Sequence, residues 1–423
     1  MQNRRDFIKS ASVFSAMMAA APTIVSAQGA ARTFKVAVIG SGRRASEAFT
    51  NMAEAAKKMG HAIQLVAAHD FFLEEAQRRC KQFDCDEKFA FGGGDGYFKM
   101  LEVPGIEIVI LGAPPAFRPR HLDACIKAGK HVFAEKPIAV DPQGVRHVLE
   151  SAAAAKAKQL TLVTGTQRRH QGAYMRQALA FQKGQLGTIR GGNIYWCQAR
   201  GSIRPRKEGV TNAQYMCNNW MNWAEMSGDH IVEQHVHNID VANWFIGRYP
   251  RTAMGVGARV RRPTGNQYDF FSVDFDYGEG LHIHSLARQI PGCADRVGEL
   301  FSTELAEISG GGKIRRYDGQ EVQLEDLGNE GNPYVNEHSA LLDSVINGKQ
   351  LNEGETIAYA TAAAVMGRLS AYTGQVVRMS DILTNKDSPF YTMNFKPAAL
   401  DFEGSADVVL PEEGVAPRPG KDK

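Results

Sequence analysis

The chain has 423 residues, 43% of them hydrophobic and 22% charged, with a formal net charge of +3. That is the composition of a globular chain too long for one core of ordinary size, so two domains are expected. Two of the three excess positive charges lie in the first 27 residues, where Arg4, Arg5 and Lys9 stand against Asp6, and the nearly neutral remainder argues against a nucleic-acid or anionic-membrane partner.

Residues 1–30 read as a leader. Arg4-Arg5-Asp6-Phe7-Ile8-Lys9 is a twin-arginine signal, and a weakly apolar run from Ala11 to Ala21 follows it. Val25-Ser26-Ala27 offers small residues for cleavage after Ala27. The run is too short to span a membrane, so the expectation is export to the periplasm. Cys80, Cys85, Cys125, Cys197, Cys217 and Cys293 show no CxxC and no zinc spacing. Twin-arginine substrates fold before export, in a reducing compartment, so free buried thiols are expected; Cys80 and Cys85 are the pair that could join afterwards.

Residues 31–165 are expected to form a dinucleotide-binding domain. Phe34 to Ile39 has the low polarity of a parallel strand buried on both faces. It runs into Gly40-Ser41-Gly42-Arg43-Arg44-Ala45, and a helical pattern continues to about Lys58. In this GxGxxA spacing Gly40 permits the tight turn and Gly42 lets the backbone approach a pyrophosphate. Ala45 lets the helix pack closely on the strand, and the helix N-terminus faces the phosphates. Ser41, Arg43 and Arg44 belong to the same candidate cofactor site. The second strand, Ile63 to Ala68, ends just before Asp70, a carboxylate suited to the ribose hydroxyls of NAD and unsuited to a 2′-phosphate. Phe71 and Phe72 follow rather than an arginine, which favours NAD over NADP. Asp70 is also placed to cap the helix from Leu73.

Strands and helices then alternate. A short strand covers Phe89 to Gly92, a helix fragment Gly96 to Leu101, and a strand Glu107 to Leu111, ending at Gly112-Ala113-Pro114-Pro115 beside the cofactor. A helix from Pro119 to Lys127 ends at Gly129. His131-Val132-Phe133 is a buried strand that leads to Ala134-Glu135-Lys136-Pro137. The strand delivers Lys136 to the carboxyl edge of the sheet, where ligands bind in such folds, and Pro137 stops the ladder. Pro137 also raises the expectation of a strained or cis peptide there. A helix from Pro142 to about Lys158 and a strand from Thr161 to Thr164 complete a doubly wound parallel sheet.

Residues 166–393 are expected to form an α+β substrate and oligomerisation domain. Arg168, Arg169 and His170 cap the sixth strand at the edge that carries Lys136. A helix covers Ala173 to Lys183. Strand-like runs cover Ile189 to Gln198, Thr252 to Val260, Phe270 to Tyr277, Leu281 to Arg288 and Glu299 to Ile308, a mostly antiparallel sheet with Tyr277-Gly278-Glu279-Gly280 as a hairpin turn. Helices return at Asn336 to Asn347 and Glu355 to Thr373, the last expected to pack back on the first domain. Residues 394–423, with Pro397, Pro411, Pro417 and Pro419, read as an extended arm that could reach a partner subunit.

The most chemical stretch is Gly228 to Phe245. From Ile231 on, the apolar spacing is helical. Glu233 and His237 are four apart, so their side chains can hydrogen-bond. Asp240 can orient the His237 ring or hold the helix in place. His230 and His235 are five apart, roughly 140° around a helix, and HExxH and HxxEH are both absent, so no metal is expected.

With Gly40-Ser41-Gly42, Asp70, Glu135-Lys136-Pro137 and His237-Asn238-Ile239-Asp240 in place, the chain resembles the Gfo/Idh/MocA family over nearly all its mature length. The resemblance implies a Rossmann domain joined to an α/β domain whose open sheet makes dimers or tetramers. It also implies NAD(P)-dependent oxidation or reduction of a ring hydroxyl on a sugar or cyclitol. By position, Lys136 matches the lysine that contacts the reacting hydroxyl and the nicotinamide, and His237 matches the proton acceptor. Glu233 falls where the family usually has aspartate, His235 replaces a small residue, and Gly228-Asp229-His230 replaces a Gly-rich lead-in.

Chemistry fits these roles. Hydride loss from a hydroxyl carbon needs a base for the proton, which a neutral imidazole supplies. Lys136 would stabilise developing alkoxide charge, and Glu233 would hold the imidazole. Tyr195, Trp196, Trp220 and Trp223 offer faces for a pyranose, and Arg168, Arg169 and His170 offer donors, though each also reads as ordinary packing or pairing. An exported nicotinamide enzyme must carry its cofactor, so NAD is expected to be tightly held and recycled in place. Two other readings stand beside this one: a glycosidase that oxidises transiently at C3, eliminates and re-reduces, and a non-catalytic carbohydrate- or nucleotide-sensing protein.

Overall fold

A computed structural model describes residues 31–328, 330–393 and 408–416. The twin-arginine signal, its cleavage site at Ala27, and Pro397, Pro417 and Pro419 of the expected arm lie outside the described residues.

The first sheet contains β1 (Thr33–Ile39), β2 (Ala62–His69), β3 (Ala90–Phe91), β4 (Ile108–Leu111), β5 (His131–Ala134) and β6 (Leu162–Thr164). All neighbours are parallel, in the order β3-β2-β1-β4-β5-β6. Alternate residues serve two cores, as strand geometry requires. Val36, Val38, Ile108, Ile110 and Phe133 pack against α1 (Arg43–Lys58). Ile39, Val109, Leu111 and Val132 pack against α4 (Arg118–Lys127) and α5 (Pro142–Ala157). Between them in sequence lie α2 (Leu73–Gln82) and α3 (Gly96–Leu101).

After α6 (Gly172–Gln182), the chain enters the second sheet with β7 (Ile189–Gln198). A helical insertion follows, made of α7 (Asn212–Asn218), α8 (Ala224–Ser227), α9 (Asp229–Glu233) and α10 (Val236–Ile246). Then come β8 (Thr252–Ala258), β9 (Phe270–Asp276), β10 (His282–Gln289), β11 (Arg296–Thr303), β12 (Ala306–Ser309) and β13 (Ile314–Arg316). With β14 (Val377–Arg378) they form an eight-stranded sheet, antiparallel except for the β7–β10 pair. The single strand expected over Glu299–Ile308 is two. Thr303 Oγ1 accepts from the amides of Leu305 (3.0 Å) and Ala306 (2.9 Å), which turns the chain into an antiparallel hairpin.

Chain order and packing part company in the last helices. The helix expected from Asn336 starts at Pro333; this α11 (Pro333–Asn347) sets Val335, Leu341 and Leu342 into the core of the first sheet. Then α12 (Gly354–Thr373) lies between the two sheets' layers. At its start Gly354 approaches Leu162 and Ala152 so closely that a Cβ would sit 2.6–2.7 Å from them, and farther along Gly367 lies against Val273 and Phe275. No helix among the described residues is long and apolar enough to cross a membrane.

Candidate active site

The Gly40 turn is fixed by its backbone. Gly40 has φ +84°, and a Cβ there would lie 2.2 Å from Ala113 N, so only glycine fits. A Cβ on Gly112 would lie 2.6 Å from the Cβ of Ala45, which is why the helix can pack this closely on the sheet. Gly42 begins α1 without a side-chain cap and with no heavy atom within 4 Å of a built Cβ. The first-turn amides of α1 therefore fit a pyrophosphate in open space.

A half-buried carboxylate and a buried guanidinium hold the turn. Asp70 accepts from the amides of Ser41 (2.7 Å) and Phe72 (3.0 Å), and burial pushes its pKa up to about 6. Arg79 donates to Ser41 O (2.6 Å) and Gly42 O (3.2 Å) while 1% exposed. Sequence reasoning missed Arg79; the available signal was its place between Ala76 and Cys80 on the buried stripe of α2. The two arginines of the motif diverge. Arg43 is exposed and pairs with Glu47. Arg44 donates Nε to Glu135 (2.6 Å) and lies 3.7 Å from Glu337, so its guanidinium is committed beneath the turn. Pro114 accepts from Phe117 N and leads into α4.

Lys136 emerges from β5 two residues after Ala134, and its peptide to Pro137 is cis. Buried Arg118 binds the carbonyls of Pro137 and Ala113, tying the β4 and β5 ends together; burial lowers it to about 10. This clamp too was missed. Lys136 Nζ donates to the carbonyl of Glu233 (2.6 Å), to Gln234 Oε1 (3.3 Å) and to Glu233 Oε1 (3.4 Å).

The helix expected to run on from Ile231 is interrupted. It ends at Glu233, Gln234 departs to φ −117°, ψ −47°, and α10 begins at Val236. The break lets His230 Nε2 meet Trp196 O (2.8 Å) and His235 Nε2 meet Ser285 Oγ (2.7 Å), both on the second sheet. It also overturns the expected Glu233–His237 hydrogen bond: among the described residues the Glu233 carboxylate meets Lys136 instead. His237 is 5% exposed and stacks on Trp196, with centroids 5.5 Å apart and planes 25° apart. Burial first, then the charges of Lys136 and Arg168, hold it well below the ordinary histidine range, so it is neutral at pH 7.

The expected substrate residues divide. Arg168 stays at the site, over the Trp196 ring at 5.4 Å, bound to Glu299, which also accepts from Asn238 (2.7 Å). Arg169 and Asp240 are closed on each other by two bonds of 2.7 and 2.8 Å, so Asp240 neither orients His237 nor offers a free carboxylate. His170 binds Glu353 at 2.9 Å. Trp223 is fully buried in a small core, a correction to its reading as a sugar platform, and Trp220 packs beside it. Tyr195 falls on the opposite sheet face from Trp196 and lies under Arg296 of the neighbouring strand. A one-residue step along a strand reverses the face. Among the described residues no cluster of three or more His, Cys, Asp or Glu could hold a metal, and the six cysteines are free.

Residues 34–164 match the family model described as "Oxidoreductase family, NAD-binding Rossmann fold", and residues 174–290 match that of the "GFO/IDH/MocA C-terminal domain". The chain is 34% identical over 125 residues to an inositol 2-dehydrogenase of Pseudomonas syringae pv. syringae, covering 29% of this chain and 35% of that protein. It is 26% identical over 217 residues to a scyllo-inositol 2-dehydrogenase (NAD(+)) of Bacillus subtilis, covering 49% and 56%. These alignments thus span about a third and about half of the relatives. The solved myo-inositol 2-dehydrogenase of Lactobacillus plantarum shares the fold, with a TM-score of 0.62 at 17% identity over 82% of this chain and 99% of that one.

Proposed function

The chain belongs to the Gfo/Idh/MocA oxidoreductase family, and we propose that it oxidises a ring hydroxyl of a sugar, glycoside or cyclitol, or reduces the corresponding ring ketone, with a tightly held NAD. The observation that carries this reading is the meeting of Lys136 with the α9–α10 junction, where a neutral buried imidazole follows. When bound, the nicotinamide supplies the hydride acceptor or donor.

The protein's own groups do the rest. Lys136, now donating to Glu233 O, carries N–H bonds that a substrate oxygen can take over, which stabilises alkoxide character. His237 takes the hydroxyl proton on its unprotonated ring nitrogen. Glu233 holds the ammonium of Lys136 rather than the imidazole. Trp196 fixes the plane of the His237 ring from the second sheet. Asp70, at the end of β2, supports NAD over NADP because a carboxylate there repels a 2′-phosphate. The twin-arginine leader supports a periplasmic location, and the exposed Met254 and Val256 on the uncovered face of the second sheet support a homodimer or homotetramer.

The test is the mass and spectrum of nucleotide released from pure protein, followed by a screen of glycosides and inositols for reduced-nicotinamide absorbance. A keto product with matching cofactor reduction is the expected result. Release of an aglycone without net cofactor change would make the chain a glycosidase instead, and protein that carries no nucleotide and reduces none with any glycoside or inositol would overturn the reading.

A further inference from the structure

A third, small core lies apart from those of the two sheets. Ala213, Met216 and Cys217 of α7 and Trp223 pack there with Phe117 and Val408, and Phe71, Phe72, Ala116 and Leu410 lean on it. Its position follows from the cofactor site. With the pyrophosphate at the N-terminus of α1 and the ribose at Asp70, the adenine must lie beyond, at the ends of β2 and β4. Those ends continue into Phe71-Phe72 and Ala116-Phe117. We infer that α7, the residues up to Met226 and the segment 408–414 form a roof that closes the adenosine end of the dinucleotide site and retains the cofactor.

The roof is fastened on both sides. Ala116 N donates to Met226 O (3.2 Å), joining it to the β4 end. The Cys217 thiol is raised by burial and by the charge of Asp70, so α7 lies within electrostatic reach of the ribose-binding carboxylate. Asn212 Nδ2 donates to Val408 O (2.9 Å), joining the C-terminal segment to α7. Val408 turns inward, 7% exposed, while Val409 turns out, 85% exposed, the alternation of extended chain laid over an apolar surface. Glu413 is the latch: its carboxylate accepts from Tyr215 OH (3.2 Å), Gly265 N (3.1 Å) and Thr264 Oγ1. Gly414 N adds a bond to Gly265 O (2.8 Å). Gly265 itself cannot change, because a Cβ there would lie 1.7 Å from Asn222 O. A dinucleotide leaves only when this apolar seal and its latch open together, which slows release without any contact to the reacting atoms.

The inference rests on the dinucleotide reading above and is tested by nucleotide release rather than by turnover. Full-length protein, Glu413→Ala, and a chain ending at Asp407 are each loaded with radiolabelled NAD, diluted into unlabelled NAD, and followed by filter retention, with the unfolding midpoint recorded. Wild type is expected to keep its label through gel filtration. Both variants are expected to release it at least tenfold faster, since about 1.4 kcal/mol of lost hydrogen bonding is a factor of ten. If the shortened chain does not fold, Glu413→Ala decides alone. Release at the same rate from wild type and Glu413→Ala overturns the roof while leaving the functional reading intact. Failure of wild type to bind NAD or NADP at all overturns both.

Discussion

At the Gly40–Ala45 turn the backbone sets the geometry: a positive φ, a 2.2 Å approach to Ala113 and a helix packed through Ala45 against Gly112. At the α9–α10 junction nothing comparable constrains the main chain. There a lysine from one domain reaches 97 positions along the sequence to a carbonyl exposed by a broken helix, and a histidine is placed by stacking on a tryptophan of the second sheet. Gly40 and the Ala45–Gly112 contact admit almost no change in residue type, but the turn makes no chemistry of its own. The junction tolerates changes in fold terms and carries the proposed chemistry. Substitutions in the two regions should therefore separate binding and stability from turnover.

The largest effect is expected for Lys136→Met. Loss of an oxygen-stabilising donor costs about 10³-fold in turnover, while bound nucleotide measured after gel filtration stays stoichiometric. A parallel loss of nucleotide would erase the contrast between the regions. Gly40→Ala should do the reverse: the clash with Ala113 and the positive φ cost about 3 kcal/mol or more in urea unfolding, and nucleotide is lost with the fold. Gly42→Ala sharpens this, since nothing lies near its Cβ; stability should stay within about 0.5 kcal/mol while nucleotide affinity falls. His237→Gln should lower turnover by about 10²-fold, with no change in unfolding midpoint beyond what one lost ring contact explains.

The smallest expected effect is a pH dependence. Burial raises the Asp70 pKa from 3.8 to about 6. As pH falls through about 6 the carboxyl takes a proton and loses acceptor strength toward ribose, so NAD affinity should fall by up to about tenfold. The nucleotide-free protein should move the other way. Between about 4 and 6 its native state binds more protons than the unfolded chain, so stability contributed by this group rises as pH falls. Asp70→Asn should flatten both curves, read by calorimetric titration and thermal unfolding.

What was legible in the sequence follows the same division. The GxGxxA turn, the β–α alternation and the Lys136 strand end were readable because each is a local pattern with a backbone cause. Tertiary side-chain choices were not. The break at Gln234 was hidden because Ile231 to Phe245 keeps helical apolar spacing throughout, and only His230 and His235 reaching for the second sheet give it a reason. Arg79 and Arg118 look like surface charges until the carbonyls they bind are known. Trp223 and Tyr195 were aromatic and near the right segment, yet one is core and the other lies across the sheet, a distinction set by packing and register alone.

The joint action of Lys136 and His237 on one ring hydroxyl is open to a single-turnover measurement. NAD-loaded protein is mixed with a panel of pyranosides and inositols in the absence of free nucleotide, and reduced-nicotinamide absorbance is followed in wild type, Lys136→Met and His237→Gln. Wild type should reduce its bound cofactor once per site with formation of one keto product, and both variants should show the same final amplitude reached orders of magnitude more slowly. Unslowed reduction in either variant would contradict the assignment.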